Sequence, residues 1–349
     1  MSNQSDNFKD IESRKGDHIR LCLDKRSQAK VSVFDKYGLP YTALPEMKLD
    51  DVDTSFKLFG KTLQAPIIIA SMTGGSEHGR SINTNLAVAA EKCGVAMGLG
   101  SQRIGLEKMD AKDTFELVRK HAPNAFIIAN MGAVQLNYGH GVESYKAVID
   151  MVKADAIYLH LNPLQEALQP GGDTDFSGLL KNIEKLVKEI GTPVFIKEVG
   201  HGISADDARR LYQAGVAAID TAGVGGTSYA WVEAERAKND DFAAWFKDIG
   251  ITTDESIKQV AQIRDALDSS KHVIASGGVR SPIDGLKARA IGADLFSAAV
   301  PFLEPAMQDT PDQIIDVVEN WKHGLKIAMF SAGCKNWQAA KEIKLLTKN

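Results

Sequence analysis

From residue 66 to about residue 330, short apolar runs rich in Val, Ile and Ala alternate with longer amphipathic stretches, and this alternation constrains the fold most. A short apolar run bounded by turn residues suits a strand buried on both faces, whereas apolar residues three and four apart suit a helix with one buried face. The runs fall at 66–71, 95–100, 126–131, 156–162, 193–199, 217–222, 272–277 and 293–299, eight in all. Helical spacing is plain at Leu179, Leu180, Ile183, Leu186, Val187 and Ile190, and at Ile257, Val260, Ile263 and Leu267. Eight such units over roughly 250 residues predict an α/β chain folded as a (β/α)8 TIM barrel, with a doubly wound open sheet as the alternative.

Two stretches fall outside the repeat. Residues 1–65 form an N-terminal extension, expected to flank or plug the barrel and to contribute to the substrate site, with a small strand pair at 56–63 turning about Gly60. The barrel with its C-terminal helix then occupies 66–349. The interval 224–253 is far longer than a usual βα connection. It holds Trp231, Trp245 and a charged run from residue 233 to 241, and reads equally as a lid or as a solvated extra helix.

Composition excludes several classes of function. With 41 basic against 45 acidic residues and a formal net charge of -4, no global field draws the chain to nucleic acid or to an anionic membrane. Any bound anion must be captured locally. Three cysteines at wide spacing, Cys22, Cys93 and Cys334, make neither a disulfide framework nor a zinc site. The first twenty residues carry eight charges and no apolar core of a signal, so a cytoplasmic protein without a membrane span is expected.

Active sites of such barrels lie at the C-terminal strand ends. Those ends read SMTGG from Ser71, GSQR from Gly100, Asn130, HLNPLQE from His160, KEVGHG from Lys197, AGVGGTS from Ala222, SGGVR from Ser276 and SAAVP from Ser297. Because successive side chains on a strand point to opposite faces, Tyr158, His160 and Asn162 are expected inside the barrel, with Ile157, Leu159 and Leu161 outside. By the same parity Phe195 and Lys197 point inward. A buried ammonium needs an acceptor or an anion, and a salt bridge to Glu198 would serve as well as a ligand. Glycine pairs after the sixth and seventh runs, followed by a helix start, suit a phosphate. A second cationic group, Arg14, Lys15 and His18 together with Arg103 and His160, could grip a diphosphate, and Glu166 could then hold Mg2+.

RKGDH, SMTGG, GSQR, HLNPLQE, KEVGHGIS, GVGGTS and SGGVR, in this order over nearly the whole chain, resemble the type 2 isopentenyl diphosphate isomerases, which use FMN. The resemblance implies that Ser71, Met72, Thr73, Ser101, Asn130, Lys197, Thr227, Gly277, Gly278, Val279, Arg280, Ala298 and Ala299 hold FMN, with its phosphate on the last group. It implies a substrate site of Arg14, Lys15, His18, Ser101, Gln102, Arg103, His160, Asn162, Gln165 and Ser204, with Glu166 carrying Mg2+. Gln165, His160 and Lys197 would be the catalytic residues. One departure is IGITT from Ile249, where the family usually shows a Trp-Gly-Ile-Pro-Thr-like run, and it bears on the shape of the 224–253 segment.

The implied reaction interconverts isopentenyl and dimethylallyl diphosphate by adding a proton at one carbon and removing one at another. FMN would act in its reduced form, primed by NADPH, and Lys197 would stabilise the anionic reduced state. A cytoplasmic homo-oligomer, tetramer or octamer, is also implied. Among rivals, an FMN-dependent hydroxyacid oxidase needs a histidine base after the sixth strand, where this chain has AGVGGTS. A nucleotide dehydrogenase of this shape needs a cysteine in a phosphate-side loop, and none is there. A flavin-binding barrel without catalysis would leave Arg103, His160 and Gln165 without purpose.

Overall fold

A computed structural model describes residues 16–75 and 77–348; Arg14 and Lys15 lie outside the described residues. Eight parallel strands close into a barrel: β1 (Ile67–Ile69), β2 (Ala96–Gly98), β3 (Ile127–Gly132), β4 (Ala156–His160), β5 (Val194–Lys197), β6 (Ala218–Asp220), β7 (His272–Ala275) and β8 (Leu295–Ala298). Each pairs with the next, and β8 closes the ring on β1 with Ser297 opposite Ile68. All eight expected strands are present and the open sheet is excluded. Seven strands lie within their expected runs and β3 extends one residue beyond, to Gly132; where a strand stops short of the run's end, the chain leaves the ladder to become the loops of the barrel mouth.

The main outer helices are α1 (Glu77–Cys93), α2 (Met109–His121), α3 (Val142–Val152), α4 (Leu179–Ile190), α5 (Ala205–Gln213), α6 (Thr253–Leu267), α7 (Pro282–Ile291) and α8 (Asp312–Ser331). On α4 the buried residues Leu179, Ile183, Leu186 and Ile190 form the stripe that the spacing predicts, and Gly191 in a left-handed conformation ends the helix. Strand residues such as Ile68, Ile128, Ile157, Ile196, Ile219 and Ile274 are wholly buried, so the strands read as apolar runs rather than as alternating patterns. Truncating one of them to Ala would cost about 2–5 kcal/mol.

Strand parity holds. Inside the barrel the Tyr158 and Phe195 rings meet edge to face, 5.7 Å between centroids, and Tyr158 donates to Asp220 at 3.0 Å. The expected strand pair is an antiparallel hairpin, Phe56–Leu58 with Lys61–Leu63. At its turn Phe59 packs against Phe195 and His272, 5.5 and 5.4 Å between centroids, covering the N-terminal end of the barrel. The 224–253 interval contains two helices, Tyr229–Arg236 and Asp240–Phe246. IGITT is tied back into the barrel mouth: Ile251 N donates to His201 O at 2.8 Å and Val224 N to Ile251 O at 2.9 Å. No described helix is long and apolar enough to cross a membrane.

Candidate active site

The barrel mouth encloses a cavity of about 310 Å3. Every residue that the flavin reading names lines it, from Ser71 after β1 to Ala299 after β8. His18, Ser101, Arg103, His160, Asn162, Gln165 and Glu166 line it too. Gln102 and Ser204 do not. Gln102 is fully buried behind the wall, donating to Val148 O at 3.1 Å and accepting from Asn130 N at 3.0 Å. Ser204 is the N-cap of α5, its Oγ accepting from Asp207 N. Both have structural tasks in this conformation.

At one side of the cavity the chain turns through Gly277 and Gly278, with φ of +96° and +86°. A Cβ on Gly278 would stand 2.0 Å from Gly225 O, so the loops after β6 and β7 meet backbone to backbone only because these positions lack side chains. Ser281 then caps α7. Buried Ser71 Oγ, Thr73 Oγ1 and Ser297 Oγ line the same cavity and have no hydrogen-bond partner among the described residues. Orphaned hydroxyls at the ends of β1 and β8 fit a ligand that brings its own donors and acceptors, as a flavin's heteroatom edge and phosphate do.

Lys197 at the end of β5 points into the cavity, and its Nζ donates to the backbone oxygen of Glu198 at 2.6 Å. The expected alternative of a Lys197–Glu198 salt bridge does not form. Glu198 points away, and its Oε2 gathers the N–H groups of Val199, Gly200 and His201 at 2.7, 2.6 and 2.5 Å. Beneath, Asp220 is buried, bonded to Tyr158 and Ser276, and burial holds its carboxyl above the usual range.

At the other side, His160 Nδ1 meets Asn130 Oδ1 at 2.8 Å. Burial, with the nearby charges of Lys197 and Arg103, pushes the imidazole down to about 3. These surroundings favour a neutral imidazole, with Nδ1–H donating to Asn130 and Nε2 turned outward as an acceptor. Cationic contacts fall to Arg103, whose Nη1 binds Asp173 at 3.0 Å, and to Lys197.

A line of buried hydrogen bonds joins the rest. Asn162 Nδ2 donates to Glu166 Oε1 at 2.8 Å and to Gln165 Oε1 at 3.2 Å. Gln165 Nε2 donates to Glu233 Oε1 at 2.9 Å, and His18 Nε2 lies 2.9 Å from the same oxygen. Arg236 holds Glu233 Oε2 at 2.7 Å. Burial alone would raise the Glu233 carboxyl, but His18, Gln165 and Arg236 together carry it down to about 2. Glu233 was not among the expected site residues, since its charged run reads as a solvated face. Yet Ala230, Glu233 and Ala234 share one helix face, and that spacing is the signal for an inward carboxylate.

Glu166 accepts from Asp173 N at 2.8 Å as well as from Asn162. Among the described residues no three His, Cys, Asp or Glu gather to cage a metal. A single held carboxylate is the donor set of a Mg2+ ion whose other ligands are substrate phosphate and water.

The FMN-dependent dehydrogenase family matches residues 23–131 and 165–346. Isopentenyl-diphosphate delta-isomerases are similar over most of their length: 46% identity to that of Nostoc sp. (strain PCC 7120 / SAG 25.82 / UTEX 2576) over 85% of both chains, and 42% to that of Stutzerimonas stutzeri (strain A1501) over 99% of both. The chain belongs to the isopentenyl-diphosphate delta-isomerase family. It is thus an enzyme of an FMN-dependent barrel class. Among solved structures, a lactate oxidase of Pediococcus acidilactici has 16% identity and a TM-score of 0.67, covering 98% of this chain and 94% of its own. A mandelate oxidase bound to (S)-2-phenylpropionate has 16% identity and a TM-score of 0.65, covering 97% of this chain and 98% of its own. At that identity the likeness extends to the barrel alone. Residues of the SMTGG, GSQR, HLNPLQE, GVGGTS and SGGVR runs line the cavity wall.

Proposed function

We propose that this enzyme interconverts isopentenyl diphosphate and dimethylallyl diphosphate, using FMN in its reduced form, Mg2+ bound by Glu166, and NADPH as the reductant. The observation that carries the reading is Gln165, which lines a cavity with a phosphate-type glycine turn and is held from behind the wall by buried Glu233. Oxidation of a hydroxyacid needs a basic histidine, and the sequence after β6 offers none. Moving a double bond needs instead a carbon skeleton held still while one proton arrives and another leaves.

Reduced FMN, when bound, supplies an electron-rich ring that stabilises positive charge developing on the substrate. The protein's own residues supply position. Arg103 holds the diphosphate, with Arg14 and Lys15 proposed beside it, and that remote grip orients an otherwise featureless hydrocarbon tail. Glu166 would hold Mg2+, which would help to neutralise the diphosphate. With Gln165 Nε2 committed to Glu233, its Oε1 is the edge turned toward Asn162, so the amide accepts rather than donates there. That edge steers the proton leaving the substrate carbon, while the Glu233 charge behind it balances the positive charge that forms. His160, neutral, would accept through Nε2, and the Lys197 ammonium, which lines the cavity, would favour the anionic form of a reduced flavin held there.

The test is anaerobic conversion of isopentenyl diphosphate by purified protein with FMN and Mg2+, before and after reduction. The expected result is product only after reduction. Oxygen consumption with a hydroxyacid and no isomerisation would overturn the reading in favour of an oxidase.

A further inference from the structure

One more side chain enters the cavity from outside the barrel, and none of the motifs assigns it a task. Gln28 pairs antiparallel with Thr227, fixed by Ala29 N to Gly226 O at 2.9 Å and Ser228 N to Ser27 O at 2.8 Å. Those two backbone bonds set where its side chain begins. Its Nε2 donates to Thr227 Oγ1 at 2.8 Å and to Cys22 O at 2.6 Å. Its Oε1 accepts from Arg280 Nη2 at 2.6 Å. Both ends of the carboxamide are therefore in use, and two of its partners belong to the residues assigned to the flavin.

Arg280 makes no ion pair with a carboxylate among the described residues. Its backbone N–H, not its guanidinium, meets Asp284 Oδ2 at 3.0 Å. Burial pulls the guanidinium below the usual arginine range. A half-buried cation with no contact ion pair among the described residues, and only the longer-range attraction of Asp284, is costly unless a ligand brings the anion, and its fork of donors must already be aimed when that anion arrives. The neutral oxygen of Gln28 aims it without neutralising it. A carboxylate at residue 28 would instead compete with a phosphate.

We propose that Gln28 is a positioning residue of the cofactor site: it holds the Arg280 guanidinium facing the FMN phosphate, so that the N-terminal extension completes the phosphate end. The inference rests on the reading that Gly278 and Arg280 receive that phosphate. It adds to the extension a cofactor role besides the substrate role expected of it.

The experiment compares FMN and riboflavin, which lacks the phosphate, by flavin fluorescence titration of wild type, Gln28→Met, Arg280→Met and the double variant. Loss of one hydrogen bond to a charged group should weaken FMN binding by Gln28→Met roughly tenfold. Riboflavin affinity should not change, and in the Arg280→Met background Gln28→Met should have no further effect. A segment that merely braces the cavity would weaken both ligands alike, and its effect would add to that of Arg280→Met. Either result, or unchanged FMN affinity, overturns the proposal. If Gln28→Met does not fold, Gln28→Ser replaces it in the same cycle. Wild-type protein that takes up no FMN would refute the flavin reading itself, an outcome distinct from failure of the Gln28 cycle.

Discussion

Replacing Glu233 with Gln keeps the size of the side chain and removes its charge, which isolates what that charge does. In the structure the carboxylate receives Gln165 and His18 on one oxygen and Arg236 on the other. Hydrogen bonds to charged groups are worth about 1.5–3 kcal/mol. If the Gln165 bond is fully expressed as orientation in the transition state, its loss lowers turnover by about 10- to 150-fold. An amide at residue 233 also lets the Gln165 amide flip, since either edge then finds a complement. The assay is steady-state isomerisation with reduced FMN and Mg2+ over a range of isopentenyl diphosphate. The account predicts that kcat falls more than KM rises, because Glu233 touches Gln165 directly and reaches the diphosphate end only through His18. FMN affinity serves as the folding control. Unchanged kcat, or a loss confined to KM, would refute the claim that Glu233 orients the proton-handling amide.

Acidification tests the same carboxylate by another route: held at about 2 against an ordinary 4.5, Glu233 stabilises the native state above 4.5 and loses that contribution as pH falls through the 4.5 to 2 window. Its contribution is about 3 kcal/mol, so acid melting curves of Glu233→Gln should converge with wild type in that window. Because His160 is held at about 3, the turnover profile should show no limb from this imidazole near 6.5, and His160→Gln should leave the profile's shape unchanged. Arg103→Ala should raise KM for the diphosphate roughly tenfold or more with a smaller effect on kcat. Gly278→Ala, which puts a Cβ 2.0 Å from Gly225 O, should abolish FMN uptake and lower the melting temperature. EDTA should suppress turnover and excess Mg2+ restore it.

The barrel was legible because its strands are buried on both faces and therefore appear as uninterrupted apolar runs. Parity then aimed Lys197, His160 and Asn162 inward without any tertiary information. What sequence could not show were side chains whose partners are far away along the chain. Glu233 sits in a run of charges; its spacing with Ala230 and Ala234 marks a buried face, but its partners His18 and Gln165 lie far away along the chain. Gln28 has no motif at all; its task follows from Arg280, 252 residues away. In the opposite sense, Gln102 and Ser204 belong to runs that resemble a ligand-binding motif, but a strand end turning into a helix sends adjacent side chains to different sides. The surroundings of His160 are hidden for a related reason, since its burial comes from the folded barrel and the charges acting on it, Lys197 and Arg103, lie far away along the chain.

The central claim is that this cavity moves protons and leaves the electron count of its substrate unchanged. The direct measurement is an anaerobic reaction in D2O, with protein-bound FMN reduced once by dithionite and NADPH left out. The account predicts many turnovers per flavin and deuterium in the methyl group of dimethylallyl diphosphate. Product limited to one equivalent per flavin, or free of solvent deuterium, would contradict it.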